Sequence, residues 1–479
     1  MRGLLTLAAF SMLLISCAMG PDYSRPDIAT SDSFRMAGEE KDLPSLANVP
    51  WWELYHDDEL QKLIRTALDE NKDLKRAVAT VDEFAARSLI AKTDFAPQMN
   101  VTANAPAFGN TKNIGFPGFP NVFNYYVQGN LAWEMDIWGR IRRSNEAALG
   151  DLLAREENRR ALIVQIVGGV AQAYFDLRQF DMQLDIAKHT LTAWEESVRI
   201  GQARLRQGLI NRLDVDQFEA EREFAAARIA ELTRQIAQKE NELSVLLGRN
   251  PSQISRGRSL TEQVMPPVVP AGLPSELLQR RPDVIQAEHG LAAATARIDM
   301  AKADRFPKLS ITGILGVASP QLSQLVAHET FFGVAGPSLA GPLFNAQVLG
   351  FQQKAAEAQS RQALAQYEQT ILVAFREVED ALVAVSTARD QASAQERQVN
   401  ALRSAMHLAN VLYKGGLANY LDVLIAQRSL FDAELSLAAT RRLHLVSVVQ
   451  LYKALGGGWS PDGALKGEPD PSRAEKSNG

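Results

Sequence analysis

Strict alternation of apolar and polar residues marks four short segments of this chain. The clearest are residues 99–105 (MNVTANA) and 124–133, where apolar side chains share one face and amide side chains the other. The same pattern starts at Leu309, and a weaker version covers residues 331–339. A period of two is typical of strands with one apolar face. The pattern predicts four strands, at about residues 98–108, 124–134, 308–318 and 331–340.

Each predicted strand is about as long as a tilted strand must be to cross a bilayer. Residues 109–122 and 319–330, between the paired strands, suit hairpin loops by their composition. Alternation alone also fits a half-buried hairpin of a soluble domain, so both interpretations stay open at this point. Aromatic residues near the strand ends suit either an interfacial belt or core packing, namely Tyr125, Trp133, Trp138, Phe331 and Phe332.

Helical periodicity governs most of the remaining chain. One pattern runs from residue 57 to 95 and a second from 275 to 306, and each stops before a proline. After each strand pair, more than a hundred residues lack proline and are dominated by strong helix formers. A helix over about 138–207 would span roughly 100 Å if continuous, at about 1.5 Å per residue. It would bend or break at Gly168, Gly169 or Gly201.

The chain also repeats itself. At an offset of 210, ten residues between Leu68 and Thr102 meet identical residues in the second half, and an offset of 208 aligns the segments that begin at Gly208 and Gly416. Chance identities would scatter over many offsets. The chain therefore reads as two structural repeats, which we place at residues 57–265 and 266–458.

Glycine-containing turns interrupt the long helices at matching points of the two repeats. Gly208-Leu209 and Gly416-Leu417 each follow a long helical segment, and a glycine there suits the residue just past the end of a helix. The chain then runs back from Leu213 and from Leu421. Such long helices are expected to pack side by side as hairpins.

The N-terminus has the features of an export signal. Arg2 precedes a continuous apolar stretch from Leu4 to Ile15, which is too short to span a membrane as a helix and suits a signal peptide over residues 1–16. Cys17 follows directly and is the only cysteine of the chain. We expect Cys17 to carry a lipid anchor, with an incidental cysteine after an ordinary signal peptide as the alternative. Residues 17–56 are expected to form a linker, and 459–479 a tail.

Composition excludes little but points away from catalysis. The net charge is only −5, and no long basic run indicates nucleic-acid binding. The six histidines are scattered, and no motif of a metal site, phosphate-binding loop or nucleophilic enzyme occurs. We therefore expect no enzyme activity, no cofactor and no metal, and we look for function in a pore and a gate.

Four strands are too few to close a barrel. An open sheet edge in lipid leaves backbone groups without partners, at about several kcal/mol for each group. The smallest membrane barrels have about eight strands. If the strands cross a membrane, two or three copies of the chain must therefore share one barrel.

The chain resembles the TolC-type outer-membrane channels, and within them the NodT-like lipoprotein subgroup. The motifs that carry this resemblance cover nearly the whole chain: Cys17 with Gly20-Pro21-Asp22-Tyr23, Pro50-Trp51-Trp52, 131–140 (LAWEMDIWGR), 278–284 (LQRRPDV), 336–344 (GPSLAGPLF) and 451–459 (LYKALGGGW). The resemblance implies a mainly α-helical homotrimer with a 12-stranded barrel in the outer membrane and a helical barrel in the periplasm. It also implies a periplasmic membrane-fusion adaptor and an inner-membrane transporter of the resistance-nodulation-division class as partners.

The resemblance also directs attention to the helical turns as a gate and a docking site. Related channels place Leu, Asp and Arg at the constriction; here Leu421 and Arg428 fill two positions, but Ile425 stands at the third. Asp422, one turn earlier, and Asp214 with Leu213 in the first repeat are further candidates, since carboxylate rings select ions. Both carboxylates equally suit the start of a helix, where the helix dipole favours them. Adaptor docking is expected at Gly208, Leu209, Gly416 and Leu417.

Three functions compete at the level of the sequence. The first is a passive exit duct for efflux of small toxic compounds. The second is an outer-membrane duct for type I protein secretion, against which the lipid-anchor motif argues. The third is a periplasmic coiled-coil lipoprotein that forms no channel, against which the alternating segments argue.

Overall fold

In a computed structural model, the chain is mainly helical with one four-stranded sheet. The structure describes residues 22–28, 33–35, 56–105, 125–263, 274–319, 321–342, 344 and 346–457. The predicted signal peptide, Cys17, the Trp51-Trp52 pair, the loop expected at 109–122 and the tail expected at 459–479 lie outside these residues. Among the described residues, no helix is both long enough and apolar enough to cross a membrane.

The regular elements follow the same order twice, as two short helices, two strands and two long helices. They are α1 (Asp58–Glu70), α2 (Lys72–Thr93), β1 (Gln98–Asn104), β2 (Tyr125–Met135), α3 (Arg140–Arg206), α4 (Arg212–Leu246), α5 (Pro274–Arg280), α6 (Pro282–Ala303), β3 (Lys308–Ser319), β4 (Phe331–Ala340), α7 (Ala346–Lys414) and α8 (Tyr420–Ala454). Two single turns of 3-10 helix, Leu322–Gln324 and His328–Thr330, lie between β3 and β4.

The four strands form one antiparallel sheet in the order β1-β2-β3-β4. Its central pair, β2 and β3, joins the first half of the chain to the second, with Tyr125 opposite Ser319 and Met135 opposite Leu309. The predicted strands and the mainly helical fold class are thus confirmed.

The long helices run without interruption. α3 has 67 residues and α7 has 69. The glycines at which a bend or break was expected, Gly168, Gly169 and Gly201, lie inside continuous helix. Gly201 serves packing instead, because a side chain there would overlap the ring of Phe218 on α4.

Four glycines end helices in the same way. Gly208, Gly248, Gly416 and Gly456 all have φ between 70° and 73°. The amide of the following residue donates to the carbonyl five residues back, as Leu209 does to Arg204 at 3.0 Å. This is the Schellman motif, which needs a left-handed residue after the helix and so favours glycine. Its appearance at corresponding points of both halves confirms that the turns mark helix ends.

The described chain divides into two compact units, each built from both halves. The first comprises residues 1–27, 80–156 and 286–368, and contains the sheet. The second comprises 28–79, 157–285 and 369–479 and contains the largest hydrophobic core. That core gathers residues from α1, α3, α4, α7 and α8, including Leu60, Ile64, Tyr174, Leu243, Val378 and Leu451.

A buried carboxylate organises one part of the second unit. Asp57 is 1% exposed and caps α1 by accepting hydrogen bonds from the amides of Glu59 and Leu60 at 3.0 and 3.3 Å. It also accepts from the Tyr174 hydroxyl at 2.8 Å, the Arg258 amide at 3.0 Å and the Gln263 side chain at 2.8 Å. Five donors therefore converge on one carboxylate.

Replacing Gly248 by alanine is expected to destabilise the fold more than the same change at Gly208. Both residues have the same backbone geometry, so each variant costs about 1–2 kcal/mol for a left-handed alanine. At Gly248 the new methyl would also overlap the backbone of Glu70, whereas nothing lies within 4 Å at Gly208. Such overpacking adds about 1–3 kcal/mol. Thermal unfolding followed by circular dichroism measures the difference, and equal losses in both variants would contradict it.

Candidate functional site

The sheet has two chemically different faces. The register places the odd-numbered strand residues on one side, and their larger side chains are almost all apolar: Met99, Val101, Tyr125, Val127, Leu131, Trp133, Met135, Leu309, Ile311, Leu315, Val317, Phe331, Pro337 and Leu339. The even-numbered side is mostly polar, with Gln98, Asn100, Thr102, Asn104, Tyr126, Gln128, Asn130, Glu134, Lys308, Ser310, Thr312 and Ser338. The larger apolar side chains on that side are Ile314, Phe332 and Val334.

Hydrogen bonds tie the polar face together across strands. The side-chain amide of Asn130 in β2 donates to the Thr102 hydroxyl in β1 at 3.2 Å, and within β2 the side-chain amide of Gln128 donates to the side-chain oxygen of Asn130 at 2.9 Å. Asn104 donates to the Tyr126 hydroxyl at 3.4 Å. Uncharged side chains that bond to one another in this way suit a wall that faces water.

Charge is confined to one end of the sheet. Within the four strands only Glu134 and Lys308 are charged. Glu134 accepts two hydrogen bonds from Arg140, at 2.8 and 2.9 Å, and Lys308 pairs with Asp304 at 3.1 Å. Both ions lie on the polar face, so the apolar face presents no charge to its surroundings.

Aromatic side chains lie at both ends of the strands. At the charged end, Trp133 donates its ring N–H to the Phe95 carbonyl at 2.9 Å, and Trp138 donates to the Pro307 carbonyl at 2.8 Å. At the other end lie Tyr125, the first residue of β2, and Phe331, the first residue of β4. Rows of aromatic residues at the two rims, with an apolar band between them, are typical of membrane-spanning strands.

The outer strands of the sheet leave one edge each unpaired within the described residues. β1 pairs only with β2, and β4 pairs only with β3. In a lipid environment these edges need partner strands. Because four antiparallel strands alternate in direction, β4 of one copy can pair antiparallel with β1 of the next.

The turn of the first half is stabilised by its own side chains. Asn211 caps α4 by accepting from the Asp214 amide at 2.9 Å, and the Asp214 carboxylate accepts from the Asn211 amide at 3.2 Å. This reciprocal capping box is a stabilising role for Asp214. The nearby cation Arg212 pairs with Asp216 at 2.8 Å. Asp214 therefore takes part in a helix cap and does not pair with Arg212.

The turn of the second half differs in its side chains. Asn419 caps α8 through the Leu421 amide, while the Asp422 carboxylate is exposed without an ion-pair partner in the described part of the chain. Arg428 lies 3.8 Å from Glu221, at the limit of an ion pair.

Apolar side chains are exposed at both turns. Leu421 and Ile425, one turn apart, are 48% and 53% exposed. Leu209, Leu213 and Leu417 are exposed as well.

An aromatic cluster links the two helical hairpins near these turns. The rings of Phe218 and Tyr420 meet edge to face at 4.0 Å, and Tyr413 contacts Tyr420 at 5.1 Å. The Arg204 guanidinium lies over the Tyr413 ring at 4.8 Å. Burial raises the pKa of Tyr420 well above its ordinary value, so this phenol stays neutral. Sequence reasoning missed the cluster, although two of its tyrosines flank the second turn.

A lipid-compatible sheet with two edges left for other copies, together with long helical hairpins, defines a subunit of an outer-membrane channel. The chain belongs to the outer membrane efflux protein family, whose model matches residues 63–249 and again 273–457. The predicted resemblance to outer-membrane channels is confirmed. The predicted function in efflux and the predicted location in the outer membrane are confirmed as well.

Named relatives and a solved structure cover nearly the whole chain. It is 34% identical over 465 residues to the toluene efflux pump outer membrane protein TtgC of Pseudomonas putida, covering 96% of each chain. It is 33% identical over 452 residues to the cation efflux system protein CusC of Escherichia coli, covering 94% of this chain and 97% of that one. The open state of the Neisseria gonorrhoeae MtrE outer membrane channel superposes with a TM-score of 0.82 at 30% identity, covering 92% and 98%.

Proposed function

We propose that the protein is the passive exit duct of a tripartite efflux pump, assembled as a homotrimer with a 12-stranded barrel. The observation that carries this proposal is the two-faced sheet with an unpaired strand at each edge. Three copies supply twelve strands, which exceeds the minimum of about eight for a membrane barrel. The apolar faces then meet lipid, and the hydrogen-bonded polar faces line water.

We propose two protein partners, a periplasmic membrane-fusion adaptor and an inner-membrane transporter of the resistance-nodulation-division class. The exposed residues at the helical turns, Gly208 with Leu209 and Gly416 with Leu417, offer the adaptor a contact that is equivalent in both repeats. The membership of an efflux family supports this assembly. The division into repeats at 57–265 and 266–458 agrees with this use of two similar turns.

Cargo choice is expected to lie in the transporter and not in this duct. The relatives named for toluene and for cations are 34% and 33% identical to the chain, so similarity does not favour either cargo. We propose that the duct passes small toxic compounds of more than one class. The polar face of the strands supports a duct that accepts several classes of compound, because the only two charged residues of the four strands, Glu134 and Lys308, are each neutralised in an ion pair.

Cys17 is proposed to carry the lipid anchor in the outer membrane. It lies outside the described residues, and the proposal rests on the signal-like stretch before it. Mass spectrometry of the mature N-terminus reads the acylation directly, separately from any channel activity.

We propose that the gate lies at the second turn and is largely apolar. Ile425 replaces the carboxylate expected from related channels, and it shares an exposed helix face with Leu421. In a trimer these side chains would form two apolar rings, which close a pore to ions by excluding water. Asp422 adds a carboxylate ring, and Arg428 is held toward Glu221. Leu213 and Asp214 belong to the first turn, where the capping box occupies the carboxylate.

Conductance in planar bilayers tests both the duct and its gate. The wild-type trimer is expected to give small, mostly closed currents, and Ile425→Ser to raise the open fraction several-fold because the ring then holds water. Asp422→Ala is expected to lower cation selectivity. The matched control is Asp216→Ala, which changes a charge that pairs with Arg212 near the other turn.

The outcomes separate the competing functions. Large currents that neither variant changes would keep the duct and overturn this gate. A monomer without conductance would contradict the duct and favour the non-channel lipoprotein. Export of a protein in place of small compounds, in cells that lack their own duct, would favour type I secretion.

A further inference from the structure

The N-terminal residues 22–27 belong to the first compact unit and are held in it by side chains. The Arg25 guanidinium pairs with Glu288 of α6 at 2.7 Å. It also donates to the hydroxyl of Tyr367 on α7 at 3.3 Å. Tyr367 is 1% exposed, so its hydroxyl is a fixed point of the helix packing. One arginine thus joins the N-terminal segment to two helices of the second half.

Tyr23 is the second point of attachment. Its hydroxyl oxygen is shielded from solvent and has no hydrogen-bond partner among the described residues. Burial, followed by the nearby charge of Glu288, raises the pKa of Tyr23 to about 12. A buried hydroxyl without a hydrogen-bond partner is costly. Although the Tyr23 side chain is only partly buried as a whole, its hydroxyl end is turned away from solvent.

The neighbouring Asp22 contributes little. Its carboxylate accepts a hydrogen bond from Arg143 at 3.0 Å, but the Asp22 side chain is 95% exposed, and ion pairs with such an exposed partner add little to stability. Asp22, Tyr23 and Arg143 are among the residues that line a cavity of about 300 Å³. The hold on the segment therefore comes from Tyr23 and Arg25.

We propose that Tyr23 and Arg25 form a clasp that holds the chain's own N-terminal segment at one place on the first unit and so limits how far the lipid anchor can stand from it. The proposal rests on the acylation of Cys17 proposed above. Cys17 precedes Tyr23 by six residues, a reach of at most about 20 Å in an extended chain.

Without the clasp, the next buried residue that the structure describes along this segment is Phe34, in the core of the second unit. Phe34 follows Cys17 by seventeen residues, which would allow a reach of about 60 Å. The clasp thus shortens the lipid tether about threefold. The clasp therefore keeps the lipid-modified Cys17 close to the folded part of the protein.

A spin label at residue 24 tests the clasp in the full-length trimer. Ser24 is exposed between the two clasp residues, and acylation of Cys17 would leave Ser24→Cys as the one reactive thiol. The nitroxide is expected to show a broad, immobilised spectrum in the Ser24→Cys parent and in the control Asp22→Asn. Adding Arg25→Gln or Tyr23→Ala should raise the mobile fraction several-fold.

Two results would overturn the clasp. One is a mobile spectrum already in the parent, and the other is an unchanged spectrum in both clasp variants. Heat-resistant migration of the trimer on gels checks folding, and if Tyr23→Ala fails that check, Arg25→Gln decides alone because its side chain lies partly at the surface. Mass spectrometry of the N-terminus reads acylation separately, so loss of the lipid and loss of the clasp give different results.

Discussion

Leu131→Arg should abolish accumulation of the trimer in the outer membrane. Leu131 lies in the middle of β2 on the apolar face, opposite Met99 and Gly313. A cationic side chain on the lipid face near the bilayer centre costs about 2–4 kcal/mol. Three copies meet this cost in one barrel, about 6–12 kcal/mol for the assembly, which is comparable with the whole stability of many folded proteins. The amount of heat-resistant trimer in outer-membrane fractions measures the effect.

Asn130→Arg is the matched control, because it adds the same side chain one residue earlier, on the polar face. This variant loses the hydrogen bonds to Thr102 and Gln128, about 1 kcal/mol each, while its charge can reach water. We expect trimers near the wild-type level, with ion selectivity shifted toward anions. If both variants assembled equally, or the control failed and Leu131→Arg did not, the assignment of the two faces would be wrong.

Asp57→Ala should be the most destabilising single truncation in the second unit. The side chain of Tyr174, the amide of Arg258 and the side chain of Gln263 would all lose their acceptor inside the protein. Unsatisfied buried donors of this kind add up to about 3–5 kcal/mol. Asp58→Ala, at the exposed neighbouring position, controls for the loss of a carboxylate and should cost a few tenths of a kcal/mol. Thermal unfolding in detergent compares the two, and equal losses would contradict the network.

Acid should remove the stability that the Asp57 carboxylate contributes to the fold. Burial alone would raise the pKa of Asp57, but hydrogen bonds from Gln263, Tyr174 and the backbone outweigh it and hold the pKa below its ordinary value. A depressed pKa in the folded state stabilises the fold fully above the unfolded pKa, about 3.9, and the gain is lost as the pH falls through the folded pKa. The stability difference between wild type and Asp57→Asn should therefore narrow below about pH 4, and a constant difference would contradict this.

Local patterns in the sequence predicted the elements well because each depends on near neighbours. Alternation located the strands, and glycine after a run of helix formers located the ends of α3 and α7 at Gly208 and Gly416. β4 gave the weakest signal, since Phe332 and Val334 put apolar side chains on its polar face and Gly333 leaves one apolar position without a side chain. Glycines inside α3 were a poor guide to helix breaks: packing against Phe218 of α4 accounts for Gly201, whereas nothing lies within 4 Å of a methyl group placed at Gly169.

Contacts between distant residues were beyond such patterns. No local sequence pattern predicts that Phe218 packs against Tyr420. None predicts that Asp57 accepts hydrogen bonds from residues 174, 258 and 263. The roles at the turns also depended on geometry. Asp214 and Asp422 occupy equivalent sequence positions, yet only Asp214 completes a capping box. Similar sequence signals can thus precede different local chemistry.

The sharing of both compact units between the two repeats bears on how such a chain could arise. The central β2–β3 pairing joins the repeats, and each unit takes segments from both. A chain with one repeat would lack segments of both units and would need a second copy to supply them. Fusion of two such copies turns a contact between subunits into one within the chain, and in the trimer proposed above it would replace a ring of six by a ring of three. Once fused, the halves are free to diverge, as Arg212 and Tyr420 have at matching positions of the two turns.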